Sequence, residues 1–246
     1  MAVPAGATKA QQNTALGMST FAFTVCFAVW TIFSIIGVKI QADLGLSDAQ
    51  LGLLVGTPIL TGSLVRVLLG IWTDQVGGRV VFVLTMLLAA VATWLLSYAT
   101  SYEMVLLAAL GLGLAGGSFA VGVAYVSKWY PTSQQGTALG IFGAGNVGAA
   151  VTKLAAPFVM VAFGWPMVAQ IWAGALVVTA VIFWFTTKDD PELVERRAKG
   201  IKAKGTLLQL EPLKNIQVWR FSLYYFFVFG AFVALSLWLP RYLMGV

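Results

Sequence analysis

Histidine is absent from this 246-residue chain, and cysteine occurs once, at Cys26. Without histidine the chain lacks the commonest metal ligand and the side chain that most often carries protons near neutral pH. A single cysteine cannot form an internal disulfide, and because Cys26 lies in an apolar run we expect it to be a small buried hydrophobe. Imidazole-based catalysis and a disulfide framework are therefore excluded for this sequence.

Charged residues are also scarce. They make up 10% of the chain, whereas hydrophobic residues make up 59%. Soluble domains carry about 25% charged residues, so the composition predicts a membrane protein. The first 19 residues form a polar arm whose only charged side chain is Lys9. The apolar run that follows lacks a small-residue cleavage site at its end, so we expect a retained first span and not a signal peptide.

Seven stretches are long and apolar enough to cross a bilayer, for which a helix needs about 20 residues. They cover residues 20–40, 51–73, 80–99, 104–126, 135–163, 166–186 and 221–244. The connections are short except for a charged stretch after the sixth span, so successive spans are expected to run antiparallel. The sequence therefore predicts an all-α membrane protein built as a helical bundle.

Basic residues are distributed unevenly between the two sides of these spans. If the N-terminus is inside, the inner segments contain eleven of them: Lys9, Arg79, Lys128, Lys188, Arg196, Arg197, Lys199, Lys202, Lys204, Lys214 and Arg220. The outer side has only Lys39 and Arg241, while Arg66 and Lys153 lie inside spans. Because cytoplasmic loops carry an excess of Lys and Arg, we expect a cytoplasmic N-terminus.

The pattern divides the chain into four segments. They are a cytoplasmic N-terminal arm (1–19), an N-terminal six-helix bundle (20–187), a basic cytoplasmic linker (188–220) and the first helix of an incomplete C-terminal bundle (221–246). Six helices followed by a linker and further helices are typical of transporters built from two halves. The linker either binds anionic lipid or is a solvated connector, and the second interpretation is the simpler one.

Arg66 lies in the apolar stretch GTPILTGSLVRVLLGIWTD, and no acidic residue occurs between Asp48 and Asp74. An arginine in the middle of a span costs about 2.5–3.5 kcal/mol on insertion scales. Arg66 is about 10 Å from the inner end of its span at 1.5 Å per residue, which is far for its side chain to reach the interface. A fixed interior cation without an internal anion predicts an anion supplied from outside.

The fifth predicted span is rich in glycine around Asn146, in the stretch GTALGIFGAGNVGAAVTK. Small residues at these spacings let helices approach each other closely, and packing accounts for most of the glycines. Five glycines exceed what one packing seam needs, so backbone that faces a cavity is the alternative. By the same rise per residue, Asn146 lies about 16 Å from the inner end of its span, near the level of Arg66.

Several of these motifs resemble those of known transporters. The stretch GIWTDQVGGR resembles the loop motif between the second and third helices of major facilitator transporters, where it gates conformational change; Gly70, Asp74, Gly77 and Arg79 are in place. The stretches TGSLVRV, GLAGGSFAVGVAYVSKWYP and QQGTALGIFGAGNVGAAVTK together resemble the nitrate/nitrite porter family, NarK-type. The likeness runs from about residue 20 to the end. It implies the six-helix N-terminal half of a major facilitator transporter plus a seventh transmembrane helix.

The resemblance also implies roles for individual residues. The substrate-binding positions of the family correspond to Arg66, Asn146, Tyr225, Phe119, Phe27, Phe229 and Gly116. The positions of the glycine signature that line the cavity correspond to Gly143, Gly145 and Gly148. Lys153 departs from this pattern, and it either adds positive potential along the anion path or reaches outward to the interface.

The implied function is alternating-access transport of nitrate, with nitrite as a further substrate, in the bacterial inner membrane. Proton symport is favoured over nitrate/nitrite antiport because Lys153 departs from a simple exchanger pocket, and transport of another small anion is a further alternative. The expected partners are the anion, protons, the lipid bilayer and a second half of the transporter, in the same or another chain. The sequence offers no nucleophile beside a base, no metal-binding cluster and no paired acids. We therefore expect that the protein is not an enzyme, has no cofactor and does not bind nucleic acid.

Overall fold

The computed structural model describes residues 8–201, 203 and 205–244. Residues 1–7 of the predicted arm, Lys202 and Lys204 of the predicted linker and residues 245–246 lie outside the described residues, as does the side chain of Arg241. The described residues contain helices and no strand. Seven of the helices are long and apolar enough to cross a membrane, which confirms the all-α membrane fold.

The seven helices, numbered span 1 to span 7 in chain order, follow the predicted order. They comprise Lys9–Leu44, Asp48–Val76, Gly78–Leu96, Tyr102–Ser127, Thr132–Phe163, Trp165–Thr186 and Ile216–Met244. Short connections separate the first six, so neighbours in sequence are antiparallel neighbours in space. A short linker helix, Pro191–Ala198, lies between spans 6 and 7.

Span 1 begins eleven residues before the predicted boundary at residue 20, so the arm is helical from Lys9 onward. Thr8 and Gln11 form a capping box in which each side chain accepts a hydrogen bond from the other's backbone N–H. The Gln12 amide is buried and donates to the Trp129 carbonyl at 2.8 Å. Hydropathy detects only apolar helix, whereas capping and one long-range hydrogen bond extend this helix through polar residues.

Three of the spans contain interruptions. Span 1 is broken by a turn after Trp30, and spans 4 and 5 contain the 3-10 segments Gly113–Gly117 and Ala144–Val147. Both 3-10 segments fall in the glycine-rich stretches, where small residues tolerate close approach of neighbouring helices. The two 3-10 segments therefore coincide with motifs that carry the family resemblance.

Span 1 lies at the centre of the bundle, and 72% of its most apolar window is buried, against 22% for span 5 and 17% for span 7. Span 5 approaches it closely at Gly148, where a Cβ atom would lie 2.1 Å from the Thr24 carbonyl oxygen. Span 7 contacts the second segment of span 1, Phe33–Leu44. The chain thus brings spans 1, 2, 4 and 7 together around one region.

Candidate functional site

Arg66 extends from span 2 into the region where spans 1, 2, 4 and 7 meet. Its Nε–H donates to the Gly116 carbonyl at 3.2 Å. The guanidinium carbon lies 5.5 Å from the ring centre of Trp30, 5.6 Å from that of Phe119 and 5.4 Å from that of Phe229. Among the described residues, no carboxylate forms an ion pair with Arg66. The cation is therefore surrounded by aromatic rings, one carbonyl and no counter-ion.

Span 7 contributes a second layer of aromatic side chains. The Tyr225 and Phe229 rings stack at 5.0 Å, and each also lies roughly parallel to the Phe119 ring, at 6.0 and 6.3 Å. The Tyr225 hydroxyl lies close enough to the Arg66 guanidinium to interact with it electrostatically. Phe27 is fully buried and packs on Trp30 and Phe229, so it contacts two of the rings that surround Arg66.

A cavity of about 1060 Å³ lies between spans 2 and 7 and opens onto this group. Arg66, Trp30, Tyr225 and Phe229 line it, together with apolar residues of both spans. The sequence-predicted residues Arg66, Gly116, Phe119, Tyr225 and Phe229 are therefore brought together in space. A guanidinium at a largely apolar wall is suited to a small, weakly hydrated anion, because it offers a planar fork of donors where water is scarce.

Asn146 does not line this cavity, although the sequence predicted it at the same depth. It lies in the 3-10 segment of span 5, where its amide nitrogen donates to the Gly143 carbonyl at 2.8 Å. Its side-chain oxygen is buried without a hydrogen-bond partner. Depth along a helix does not by itself place a side chain in a cavity, because rotation about the helix axis decides which way the side chain faces.

The glycines of span 5 divide into two groups. Gly145 and Gly148 pack against span 1, where added Cβ atoms would lie within 2.5 Å of the Phe23 ring and 2.1 Å of the Thr24 carbonyl. Contact with span 1 covers these two glycines, and neither lines the cavity beside Arg66, so their predicted place in a substrate cavity stays a prediction. Gly143 has open space around its Cα atom. It does not line the Arg66 cavity either.

Lys153 lies further along span 5 and is half-buried. It does not line the cavity between spans 2 and 7. It forms no ion pair with any carboxylate of the described chain. The structure therefore does not join Lys153 to the group around Arg66.

The loop motif between spans 2 and 3 forms a separate polar group. Asp74 pairs with Lys128 at 2.8 Å, and the Arg79 guanidinium lies 4.2 Å from the Trp184 ring centre and donates to the Trp184 carbonyl. Gly77 has a φ of 111°, a conformation that favours glycine, and a Cβ there would lie 2.4 Å from Leu193. Gly70 has open space around it, so packing does not explain that glycine.

The linker helix docks directly on this motif. Arg196 donates to the carbonyls of Asp74 and Gln75 at 2.7 and 2.8 Å, and Arg197 donates to that of Val76 at 3.2 Å. These carbonyls belong to the last turn of span 2, which lacks intrahelical donors and carries the negative end of the helix dipole. The two arginines therefore cap span 2 from another part of the chain.

Asp190 fixes the start of the linker helix. Its carboxylate accepts a hydrogen bond from the Leu193 backbone N–H at 2.9 Å and caps the first turn. Burial raises the pKa of the Asp190 carboxyl, while the positive charge of Lys128 opposes that shift. The capped helix positions Leu193 against Gly77, so the charged stretch is an ordered, docked element from Pro191 to Ala198.

Two functional contacts were missed at the sequence level. Trp30 stacks on Arg66 and lines the cavity, and its only sequence signal was its position at the end of the aromatic run that includes Phe27. The docking of Arg196 and Arg197 had no signal, because basic residues in a linker are read as topology determinants. Both contacts join residues that are far apart in sequence.

Comparison with known proteins identifies relatives of this chain. Residues 18–246 match the Major Facilitator Superfamily. The probable nitrate/nitrite antiporter NarK1 of Thermus thermophilus is 45% identical over 243 residues, which cover 94% of this chain and 54% of that protein. The nitrite extrusion protein of Bacillus subtilis (strain 168) is 32% identical, with 95% of this chain and 58% of that protein covered. The chain thus spans somewhat more than half the length of these relatives.

A crystal structure of a bacterial homologue of the human lysosomal transporter Spinster, inward-facing and unoccupied, has a similar fold. Its TM-score is 0.64 at 22% sequence identity, with 75% of this chain and 45% of that chain covered. At this identity the likeness concerns the fold alone. Together with the match over residues 18–246, the seven helices and the loop motif, it leads to one conclusion. This chain belongs to the Major Facilitator Superfamily and is an integral, multi-pass membrane protein.

Proposed function

We propose that the protein transports nitrate and nitrite by alternating access, with Arg66 as the anion-binding cation. One observation carries the proposal: a half-buried guanidinium inside the membrane has no carboxylate partner among the described residues and lines a cavity. Burying a charge is costly unless an opposite charge accompanies it. A monovalent anion that enters the cavity supplies that charge. The names of the relatives, which include nitrate/nitrite antiporter and nitrite extrusion protein, support the choice of anion.

The aromatic rings favour a planar anion. Phe119, Tyr225 and Phe229 lie roughly parallel to one another, with interplanar angles of 13–23°. Nitrate is flat and weakly hydrated, so it can lie against ring faces while its oxygens accept hydrogen bonds from the guanidinium fork. Asn146, with its buried and unpartnered oxygen, stays a predicted binding residue that reaches the anion only if the helices around it rearrange.

The coupling mode has two candidates. Proton symport was expected from Lys153, which does not line the cavity and so gives that expectation no support. Every acidic residue of the chain lies near the end of a span or in a connection, which leaves exchange of one anion for another as the mode that needs no proton carrier here. The name of the 45% identical relative, a probable nitrate/nitrite antiporter, favours the same mode.

Transport by alternating access requires two halves that move against each other. We propose that spans 1–6 form one half, that span 7 begins the other, and that the loop motif around Asp74 gates the movement between them. The coverage of the relatives at 54–58% of their length supports the presence of further helices in the whole transporter. The excess of basic residues on one side supports a cytoplasmic N-terminus and linker in a bacterial inner membrane.

The substitution Arg66→Lys in the full-length protein tests the proposal. Lysine keeps the charge but loses the planar fork, and its ammonium is more strongly hydrated. Loss of a charge-assisted hydrogen bond of about 1.5–3 kcal/mol is expected to raise the nitrate Kd about ten- to a hundred-fold. The Kd and the uptake into liposomes are measured on purified, monodisperse protein.

The matched control is Arg220→Lys, which changes an exposed arginine of span 7 in the same way. It is expected to leave the nitrate Kd within about twofold, since an exposed surface charge contributes little. Near-normal nitrate binding by Arg66→Lys contradicts the proposal. If the parent protein binds another small anion and Arg66→Lys loses that binding, the proposed site stands and only the proposed substrate changes.

A further inference from the structure

The indole of Trp30 contacts span 2 at two points. Its Nε1–H donates to the Pro58 carbonyl at 2.8 Å, and its ring faces the guanidinium of Arg66, whose Cζ lies 5.5 Å from the ring centre. Trp30 is 1% exposed and is the last residue before the interruption of span 1. The residue that binds the proline-containing part of span 2 is therefore the same residue that supports its only interior cation.

Two glycines make room for this indole. A Cβ at Gly62 would lie 2.9 Å from Trp30 Nε1, and a Cβ at Gly116 would lie 2.5 Å from both Nε1 and the neighbouring ring carbon. Real Cβ atoms do not approach other atoms this closely, so side chains at these positions are incompatible with the observed ring position. Spans 2 and 4 thus form a slot that holds the indole in one orientation.

Trp30 and Arg66 are linked through Gly116. The residue offers its Cα face to the indole and its carbonyl to the Arg66 Nε–H at 3.2 Å. With Nε–H engaged and the Trp30 ring against the guanidinium, the side chain has lost much of its freedom to rotate. Free arginine loses about 2 kcal/mol of rotamer entropy when it is fixed, and a guanidinium that is already fixed loses less of it when an anion binds.

We propose that Trp30 is a positioning residue for anion binding, which holds the Arg66 guanidinium in a fixed plane facing the cavity. The proposal rests on the proposed function of Arg66 and adds how that residue is pre-organised. Removal of the ring leaves the guanidinium its contacts with the Gly116 carbonyl and the Phe119 and Phe229 rings, but gives it more freedom on the Trp30 side and removes a cation–π contact of about 0.5–2 kcal/mol. The anion then binds a mobile cation, so affinity falls even though every group that touches the anion is still present.

The test is a double-mutant cycle in the full-length protein, with nitrate as the probe. Trp30→Leu is expected to raise the nitrate Kd about 2- to 30-fold when Arg66 is present. In the Arg66→Lys protein the same substitution is expected to change the Kd by less than about twofold, because residues that act through one another are not additive. Trp94→Leu, which removes an exposed tryptophan on span 3, is the matched control and is expected to leave the Kd unchanged.

The outcomes separate the two proposals. If Arg66→Lys leaves nitrate affinity unchanged, the proposed function fails. If Arg66→Lys weakens binding while Trp30→Leu does not, only the positioning role is overturned. An equal loss on Trp30→Leu in both backgrounds also overturns it, since Trp30 then acts independently of Arg66. Where Trp30→Leu does not give monodisperse protein, Trp30→Met takes its place in the same cycle, because its flexible apolar side chain also removes the ring.

Discussion

The cations of this protein are held in two different ways, depending on where they lie. At the end of span 2 that carries the loop motif, Lys128 pairs with Asp74 at 2.8 Å and Arg197 pairs with Asp189 at 3.0 Å. In the interior of the same span, Arg66 has ring faces and a carbonyl around it and no ion pair within the described residues. The two regions use the same kinds of residue, but one carries its own counter-charges and the other does not.

The difference separates paired charges from an unpaired interior charge, which is the one that we propose binds the anion. Paired cations at a water-exposed edge contribute to local structure, and solvent and salt weaken their fields. An unpaired interior cation keeps its field, because few polar groups around it oppose the charge. Cation–π contacts and one carbonyl lower the cost of burial without neutralising the charge. Within the described residues, the region around Arg66 therefore has an uncompensated positive charge, as the proposed anion binding requires, whereas the charges around the loop motif are paired.

A carboxylate introduced beside Arg66 would give this cation an internal counter-charge and so abolish the difference. Of the substitutions in this comparison, it is expected to change the nitrate Kd most. Ser63 precedes Arg66 by three residues, so the two side chains share one face of span 2, and both line the cavity. In Ser63→Asp, a charge at about 6 Å with an effective dielectric constant of about 20 is worth about 3 kcal/mol, which is about a hundredfold in nitrate Kd. Isothermal titration of the purified full-length protein measures it.

Ser63→Asn is the control for this substitution, because asparagine has nearly the same shape as aspartate but carries no charge. We expect its nitrate Kd to stay within about threefold of the parent, since only a neutral polar group has changed. Equal losses in the aspartate and asparagine proteins would mean that size at this position, and not charge balance, governs binding. In that case the contrast between the two regions would not explain anion recognition.

The second prediction concerns the region around the loop motif, where the linker helix docks on the end of span 2. Arg196→Ala removes the hydrogen bonds to the Asp74 and Gln75 carbonyls, and charged hydrogen bonds contribute about 1.5–3 kcal/mol. The linker helix is expected to undock and to be cleaved faster in limited proteolysis, while the nitrate Kd stays unchanged. Alanine at the exposed Arg220 controls for loss of a positive charge near the same side of the membrane.

A change in nitrate affinity on Arg196→Ala would mean that the docking of the linker helix is coupled to the region around Arg66. An unchanged proteolysis pattern would show that Leu193 against Gly77, and not the two arginine hydrogen bonds, holds the linker helix. Both results are read from the same purified protein. The Arg196→Ala protein thus tests whether the cations around the loop motif are independent of the proposed binding site at Arg66.

The sequence predicted the helices well and singled out Arg66 as an interior cation, for physical reasons. A bilayer imposes length and hydropathy on every span, so the number and order of spans follow from composition. Arg66 stands out because an interior charge is costly and is kept only for a reason. The predicted aromatic partners Phe119, Tyr225 and Phe229 do lie around it, although spacing alone could not distinguish them from packing residues.

What the sequence could not supply was rotation and long-range contact. Asn146 and Gly148 do not line the cavity with Arg66, because the Asn146 amide bonds to its own helix turn and Gly148 packs against span 1. A helix in lipid has apolar residues on all sides, so periodicity does not reveal which face meets which neighbour. Trp30 was missed for a related reason: its indole bonds to Pro58 in another span, and no local pattern encodes that partner.

The smallest expected effect belongs to Asp74→Asn. The Asp74 side chain is 49% exposed, so its pairing with Lys128 contributes less than about 1 kcal/mol. The backbone carbonyl of Asp74, which accepts from Arg196, is untouched by the substitution. The linker helix is therefore expected to stay docked, with a melting temperature close to that of the parent protein.

Salt concentration provides the internal control for Asp74→Asn. In the parent, raising the salt from about 0.05 to 0.5 M screens the Lys128 pair and is expected to remove what remains of the difference between the two proteins. A stability loss above about 2 kcal/mol that persists at high salt would contradict this expectation. It would mean that the Asp74 carboxylate itself organises the loop motif and that the cations around this motif depend on one another. A small, salt-sensitive loss would leave Arg66 as the one charge among those compared whose partner has to come from solution.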